Sequence, residues 1–467
     1  MYSIKHHTEV ESSIEDAFAW HEHEGSFRRL MPPWLVAEEI RADQTLQEGS
    51  QRIFRFPLNP LLPLKMKWIA EHTEYNPPNR FSEIMVKGPF SYWKHNHDFK
   101  FESGKTTITD DVTYQVPFGR LGNFVDNILG GLLVKNELKR MFKSREIRLQ
   151  RDLKIHSQFA DMPRKRILIA GSSGLIGTQL VAFFDTGGHD VWRLVRRPVK
   201  DGQKEIEWNP MTGELNSESI EGFDIVIHLG GEGIGDKRWS TKRKKQIVDS
   251  RRQSTILLSD TLSRLKSKPD VLIVASAIGY YGSRGDEELT EDSLPGEGFL
   301  TDTVISWESY AESAKKAGIR VVNTRNGIVL SGAGGALGRM LLPWKMGGGG
   351  PIAGGKQWMS WISMDDEIYA IHHLAMNENS EGVYNMTAPT PSRQKSFAKI
   401  LGKVLRRPAI APIPKFSMRL LFGELADPLL IEGQRVLPKR LLESGYSFIH
   451  TDLESALRDS LGIWKNL

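Results

Sequence analysis

The stretch RILIAGSSGLIGTQLVAFF, which starts at Arg166, limits the possible folds more than any other part of the chain. An apolar run of buried-strand type stops at Ala170, glycines follow at 171, 174 and 177, and a helical pattern resumes without a spacer. Glycines in such a strand-to-helix turn permit a tight bend and let the backbone come close to a pyrophosphate. The helix N-terminus then offers free N–H groups and the positive end of its dipole. A glycine-rich turn can exist without a ligand, but one closing the first strand of an alternating series points to dinucleotide binding. That series is present. DVWRLVR, DIVIHLGG, VLIVASAIGYYG and IRVVNTRNGIVLS are further apolar runs with helical segments between them, the pattern of a parallel sheet covered on both faces.

The second strand of the series ends in LVRRP. A cofactor with a free 2′-hydroxyl usually meets an acidic residue at this place, whereas Arg196 and Arg197 suit a 2′-phosphate. NADP is therefore expected over NAD. Of the two arginines, Arg197, beside Pro198, is the better candidate for simply facing solvent.

The Gly-x-x-Gly-x-x-Gly spacing resembles that of the extended short-chain dehydrogenases/reductases. The strings HLGGEGIGDKRWSTKRKKQIVDSRRQST, SAIGYYG, SWES, TRNGIVLSGAGGALGRM and GQRVLPKRLLESGYSF are similar to a bacterial subgroup of that superfamily, the "epimerase family" proteins. The resemblance covers nearly everything from Arg164 onward. It implies a Rossmann fold, a doubly wound parallel sheet at 164–467, with a small C-terminal substrate-side region at about 410–467. It also implies cofactor contacts at Gly171, Gly174, Leu175, Ile176 and Arg196, and at Leu229, Gly230, Gly231 and Glu232 after the third strand; Ser173 and Gly177 of the glycine turn and Arg197 are further cofactor-binding candidates.

The catalytic Tyr-x-x-x-Lys of active extended members is missing. In FLTDTVISWESYAESAKK, Phe299 to Lys316, no tyrosine stands four residues before a lysine. With Glu308 matched to the acidic residue that commonly follows the lysine, the tyrosine place is Leu300 and the lysine place Val304. The Ser or Thr expected four residues before the Tyr281–Gly282 pair falls on Ala277. Ser276 is one residue away, and one step along a strand turns a side chain to the opposite face. A leucine–valine pair can neither donate a proton nor lower the pKa of a neighbour. Ser276 and Tyr281 are the remaining catalytic candidates, against a plain packing role for the aromatic pair Tyr280–Tyr281. The chemistry is accordingly either that of an NADP-dependent oxidoreductase or nucleoside-sugar-type epimerase with a degenerate triad, or absent. In the second case the chain is a non-catalytic NADP- and ligand-binding regulator. WISMDDEIYAIHHLAM reads as a strand followed by a helix capped by Asp365, and the basic run from Lys237 to Gln246 reads as a solvated helix face.

The first 152 residues have another texture. QRIFRF, KMKWIAEHTEY, RFSEIMVKGPF, YWKHNHDFKFES and TTITDDVTYQVP are short, aromatic or β-branched segments. The segment from Leu121 to Leu153 carries the three- and four-residue apolar spacing of a long amphipathic helix. These features resemble the α+β helix-grip START-like (SRPBCC) family, which implies an apolar ligand held between a curved sheet and that helix. In YWKHNHDF, alternation puts Trp93, His95, His97 and Phe99 on one face. His-x-His on one face is a possible Zn²⁺ chelate, but no third ligand stands out, so no metal is assigned. An aperiodic segment at 153–163 is the expected linker.

At 467 residues the chain is too long for one ordinary core. Its 62 basic and 57 acidic residues leave a charge of only +5, which does not suggest nucleic acid as a partner. There is no cysteine, so disulfides, thiol catalysis and thiolate metal sites are excluded. No apolar run approaches a membrane span, and no secretory signal is visible at the start. The expected partner is a small-molecule substrate, the expected location is the cytoplasm, and the oligomeric state is not encoded in any motif.

Overall fold

A computed structural model describes residues 1–35, 37–57, 65–116 and 132–465. The chain divides into two compact units. One takes Met1–Pro163 with Ala182–Gly188 and Gly462–Leu467, and the other takes Arg164–Val181 and His189–Leu461.

Seven strands described in the first unit form one antiparallel sheet. They are β1 (Tyr2–Val10), β2 (Glu38–Ala42), β3 (Gln51–Pro57), β4 (Lys65–Asn76), β5 (Arg80–Lys87), β6 (Tyr92–Glu102) and β7 (Lys105–Gln115). Their order is β1-β7-β6-β5-β4-β3-β2. The expected alternation holds: Trp93, His95, His97 and Phe99 are buried while Lys94, Asn96 and Asp98 are not. Helices Ile14–Glu22 and Lys135–Ser157 supply apolar faces to the sheet. Leu138 and Phe142 join Ile4, Trp93, Val112 and Tyr114 in one core cluster. Leu149 joins Val10, Phe18, Phe81, Phe99 and Ile108 in another, with Leu153 packed against it. The residues 138, 142, 149 and 153 share one helix face, which is why the helix continues to Ser157, beyond the expected start of the linker. The part of the sequence-predicted helix at 121–131 lies outside the described residues.

The second unit follows the alternating pattern. Chain order gives β8 (Arg166–Ala170), β9 (Asp190–Val195), β10 (Glu205–Asn209), β11 (Glu214–Leu215), β12 (Ile225–His228), β13 (Val271–Ala277) and β14 (Glu288–Leu289). It continues with β15 (Arg320–Asn326), β16 (Ile328–Leu330), β17 (Trp358–Met359), β18 (Trp361–Ser363), β19 (Gly382–Met386), β20 (Ser392–Arg393) and β21 (Arg435–Val436). Eight of these strands form one sheet in the order β11-β10-β9-β8-β12-β13-β15-β19. All its neighbours run parallel except β10 and β11. This is the Rossmann-like arrangement, with the strand order reversing between β8 and β12. In such sheets ligands bind at that switch point, beyond the carboxyl ends of the strands. The helix Met364–Met376 is capped by Ser363, not by Asp365: the Ser363 hydroxyl accepts from Asp366 N at 3.0 Å, so the helix starts two residues earlier than a cap at Asp365 implies. Among the described residues no helix is long and apolar enough to cross a membrane.

Candidate functional site

The turn after β8 shows what each glycine is for. Gly171 adopts φ +80°, and a Cβ there would stand 2.8 Å from Gly230 N, on the segment leaving β12. A Cβ on Gly177 would stand 2.2 Å from Gly171 O, so this glycine lets the helix Leu175–Thr186 sit against its own turn. Gly174 differs, because its nearest foreign atom would be 3.3 Å away and its φ is ordinary. A Cβ there would crowd that backbone oxygen by a few tenths of an ångström, a milder constraint than at Gly171 or Gly177.

A cleft of about 360 Å³ opens beside this turn. One wall consists of residues 171 and 174–177 with Leu229, and the other of residues 327–329 and 335–336. Of the sequence candidates, Gly171, Gly174, Leu175, Ile176, Gly177 and Leu229 line it, while Ser173, Gly230, Gly231 and Glu232 stand outside the lining. In the sequence the opposite wall reads only as a strand and as part of the family resemblance, with no site residue assigned to it, although its string NGIVLSGAGGALG is rich in glycine. Gly327 follows β15, and a Cβ on it would press 2.5 Å from Ser360 O. Gly335, at φ +65°, lies close to the Leu175 side chain across the cleft. Glu232 is occupied: its carboxylate accepts from Arg243 at 2.8 Å, and its carbonyl accepts from Arg251 at 3.0 Å. Arg243 is therefore buried, an exception to the solvated face expected of the basic run. The helix that carries it, Thr241–Ser263, is capped by Ser240.

The two arginines after β9 have different surroundings. Arg197 donates to both oxygens of Glu205, at 2.6 and 2.9 Å, and Glu205 is almost wholly buried. Burial pushes the Glu205 carboxyl up, but Arg197, the Lys200 N–H and Arg193 together hold it below its usual range. Arg196 is exposed, and among the described residues none takes its guanidinium.

Beyond the carboxyl ends of β13, β15 and β19 lies a buried polar network. The parallel register puts Ser276 beside Arg325 and Arg325 beside Asn385, so the three share one sheet face. The β13–β15 register runs residue for residue through Ala277, so Ser276 and Ala277 keep opposite faces. Ser276 donates to Glu308 at 2.6 Å, and Arg325 donates to both Glu308 oxygens at 2.7 Å. Arg325 also donates to the Tyr281 hydroxyl at 3.1 Å, and that hydroxyl donates to Asn385 Oδ1 at 2.7 Å. Burial pushes the Tyr281 phenol up to about 12, against the opposing influence of Arg325. The Tyr281 side chain has no exposed surface, and the Tyr280 ring lies 3.4 Å from the Arg325 guanidinium carbon. Leu300 packs over Gly279, and Val304 is buried. Neither Ser276 nor Tyr281 lines the cleft. Arg325, Glu308 and Asn385 went unnoticed as a group in the sequence because only the strand register brings them together.

Residues 167–387 match the family profile described as the NAD dependent epimerase/dehydratase family. Residues 413–460 match a domain of unknown function, DUF1731. An epimerase family protein of Mycobacterium bovis is 38% identical over 291 residues, 62% of this chain and 96% of that protein. Epimerase family protein YfhF of Bacillus subtilis is 36% identical over 295 residues, again 62% of this chain and 96% of that protein. Among solved structures, a nucleoside-diphosphate sugar epimerase from Corynebacterium glutamicum aligns with 99% of this chain and 90% of its own, at TM-score 0.80 and 29% identity. A human epimerase family protein (isoform 2), solved with NADPH, aligns with 65% of this chain and 100% of its own, at TM-score 0.58 and 32% identity.

Proposed function

We propose that this chain, which belongs to the epimerase family of NAD(P)-dependent epimerase/dehydratase-like proteins, binds NADP(H) in the cleft beside Gly171–Gly177 and acts as an oxidoreductase or epimerase on a small nucleotide-sugar-type substrate. The observation that carries the reading is the cleft lined by Gly171 and Gly174–Gly177, where the helix N-terminus frees the N–H groups of Leu175 and Ile176 for a pyrophosphate. Arg196 is the group for the 2′-phosphate, since Arg197 is already paired with Glu205. The similar human protein holds NADPH, which supports the same choice of cofactor. The nicotinamide, when bound, supplies hydride transfer.

What the protein side chains can add is more limited. Tyr281 keeps its proton at neutral pH and spends it on Asn385, and Ser276 spends its own on Glu308. Both hold the ends of three strands together, and neither is placed to exchange a proton without rearrangement. Leu300 and Val304 cannot do so at all. These four residues favour a second reading, in which NADP occupancy regulates ligand or partner recognition and no turnover occurs. For the first unit, the sheet with a long helix across its apolar face supports a helix-grip, START-like role in holding an apolar ligand.

The experiment gives the native chain and Tyr281→Phe small carbonyl compounds with NADPH, followed by absorbance, and a panel of nucleotide sugars with NADP⁺, followed by chromatography of the products, because an epimerisation leaves the cofactor absorbance unchanged. Turnover supports the enzyme reading, and a loss of roughly a hundredfold in Tyr281→Phe with NADPH affinity kept would assign that hydroxyl to the chemistry. Tight NADPH binding with no turnover on any substrate supports the regulatory reading.

A further inference from the structure

The first unit contains a polar layer between its two apolar clusters. Along β6, Trp93 belongs to one cluster and Phe99 to the other, and His95 and His97 lie between them. Along β7, Asp110 lies between Ile108 and Val112 in the same way. The register sets Glu83 of β5 opposite His95, and Asp110 opposite His97. Four metal-ligating side chains of three neighbouring strands thus meet at one place, where an apolar core would be cheaper to build.

His95 Nδ1 lies 3.4 Å from Glu83 Oε1. Two ligands about 2.0–2.1 Å from a tetrahedral Zn²⁺ stand roughly 3.3–3.4 Å apart, so this pair already has the spacing of a ligand edge. Glu83, His95 and His97 each offer one ligand atom, all within 4.8 Å of one another. Asp110 Oδ1 lies 2.9 Å from His95 Nε2 and 2.8 Å from His97 Nδ1. The first of these contacts is a hydrogen bond. The second is an ion-pair contact without hydrogen-bond alignment, so His97 Nδ1, on a residue 7% exposed, stands against Asp110 with no satisfied hydrogen bond. Such a nitrogen is costly unless something fills its lone pair or takes its proton. His21, whose ring centroid lies 6.3 Å from that of His97, has its Nδ1 bonded to Ala17 O at 2.8 Å.

We infer that Glu83, His95 and His97 form a site for a divalent transition metal of the Zn²⁺ class, with Asp110 as the carboxylate that holds the His95 ring at Nε2 and leaves its Nδ1 toward the ion. Imidazole and carboxylate donors suit Zn²⁺ and Co²⁺, and a carboxylate behind a ligating histidine is the usual support of such a site. Two carboxylates and two neutral imidazoles carry a charge that matches the ion. The Arg145 guanidinium, whose Nε has no hydrogen-bond partner, stands in the same layer and favours an anionic fourth ligand, such as hydroxide or an acidic group of a bound molecule. The site is independent of the dinucleotide cleft.

The test uses the full chain, free of affinity tags and stripped with a chelator. Titration with Co²⁺ should give the visible ligand-field absorption of a four-coordinate ion at one equivalent, and Zn²⁺ should displace it. His97→Ala should weaken binding at least tenfold, and Asp110→Asn by about 10–100-fold, as for a second-layer carboxylate. Should either variant fail to fold, Glu83→Gln, which keeps the side-chain shape at a quarter-exposed position, answers the same question. Zn²⁺ should raise the thermal midpoint of the native chain and leave that of Glu83→Gln unchanged. No stoichiometric uptake by the native chain, or uptake equal in the native chain and Glu83→Gln, would overturn the proposal and leave a hydrogen-bonded histidine–carboxylate layer.

Discussion

Replacing Glu308 with glutamine is the sharpest test of how the carboxyl end of the sheet is held together. The carboxylate binds the Arg325 guanidinium at both forks, and the two side chains are 13% and 4% exposed. Glutamine keeps the shape, removes the charge, and turns one acceptor into a donor that faces the guanidinium. Removing one partner of a buried ion pair typically costs about 3–5 kcal/mol, because the other charge remains without a counter-ion. The Ser276 hydroxyl also loses a charged acceptor at 2.6 Å, which adds to the cost. For a unit of this size each kcal/mol lowers the melting temperature by about 2–4 °C, so a fall of roughly 6–20 °C is expected. Urea unfolding followed by tryptophan fluorescence is a suitable assay, since Trp307 neighbours Glu308 on the same helix. The double variant Glu308→Gln/Arg325→Met should recover part of the loss, because it removes the stranded charge. NADPH affinity should hold in both, as neither residue lines the cleft. A cost below about 1 kcal/mol, or a double variant as unstable as the sum of the singles, would refute the network.

Glu367, in the helix Met364–Met376, is fully buried with neither carboxyl oxygen hydrogen-bonded, and burial pushes its pKa up to about 8. Between the ordinary carboxyl value and pH 8 the folded chain keeps a proton that the unfolded chain has released. Stability is therefore fully present at acidic pH and declines as pH rises through that window, by at most about 5 kcal/mol. Glu367→Gln should flatten this decline in urea titrations from pH 5 to 9, and identical slopes would contradict it. Gly174→Ala should change the unfolding free energy by no more than about 1 kcal/mol while NADPH affinity falls at least tenfold. Gly177→Ala, whose Cβ would meet backbone at 2.2 Å, should lose stability as well as binding.

How much of this was legible in the sequence depended on the distance over which each contact is made. The turn at Gly171–Gly177 is local, so spacing alone located it, and the cleft opens there. The common face of His95 and His97 follows from the two-residue period of a strand, and so does the separation of Ser276 from Ala277. Glu83, by contrast, meets His95 only through the β5–β6 register, and no pattern within one segment announces that pairing. Arg325, Glu308 and Asn385 likewise come from a strand, a helix and another strand, joined by sheet order. Arg197 shows a third limit. Its charge was visible beside that of Arg196, but the Glu205 that claims it is known only once β9 and β10 are paired. The far wall of the cleft, residues 327–336, could have been suspected from its glycines, since a backbone that must pass close to another segment needs them.

The most direct measurement of the central reading is the affinity of the intact chain for NADPH and NADH, by calorimetric or fluorescence titration at one ionic strength. A 2′-phosphate met by the unpaired Arg196 should make NADPH bind at least tenfold more tightly, a difference of about 1.4 kcal/mol. Arg196→Ala should erase most of that preference and leave NADH binding nearly unchanged. Arg197→Ala should keep the preference, because its guanidinium belongs to Glu205. Equal or reversed affinities in the native chain would contradict the assignment of NADP(H) to this cleft.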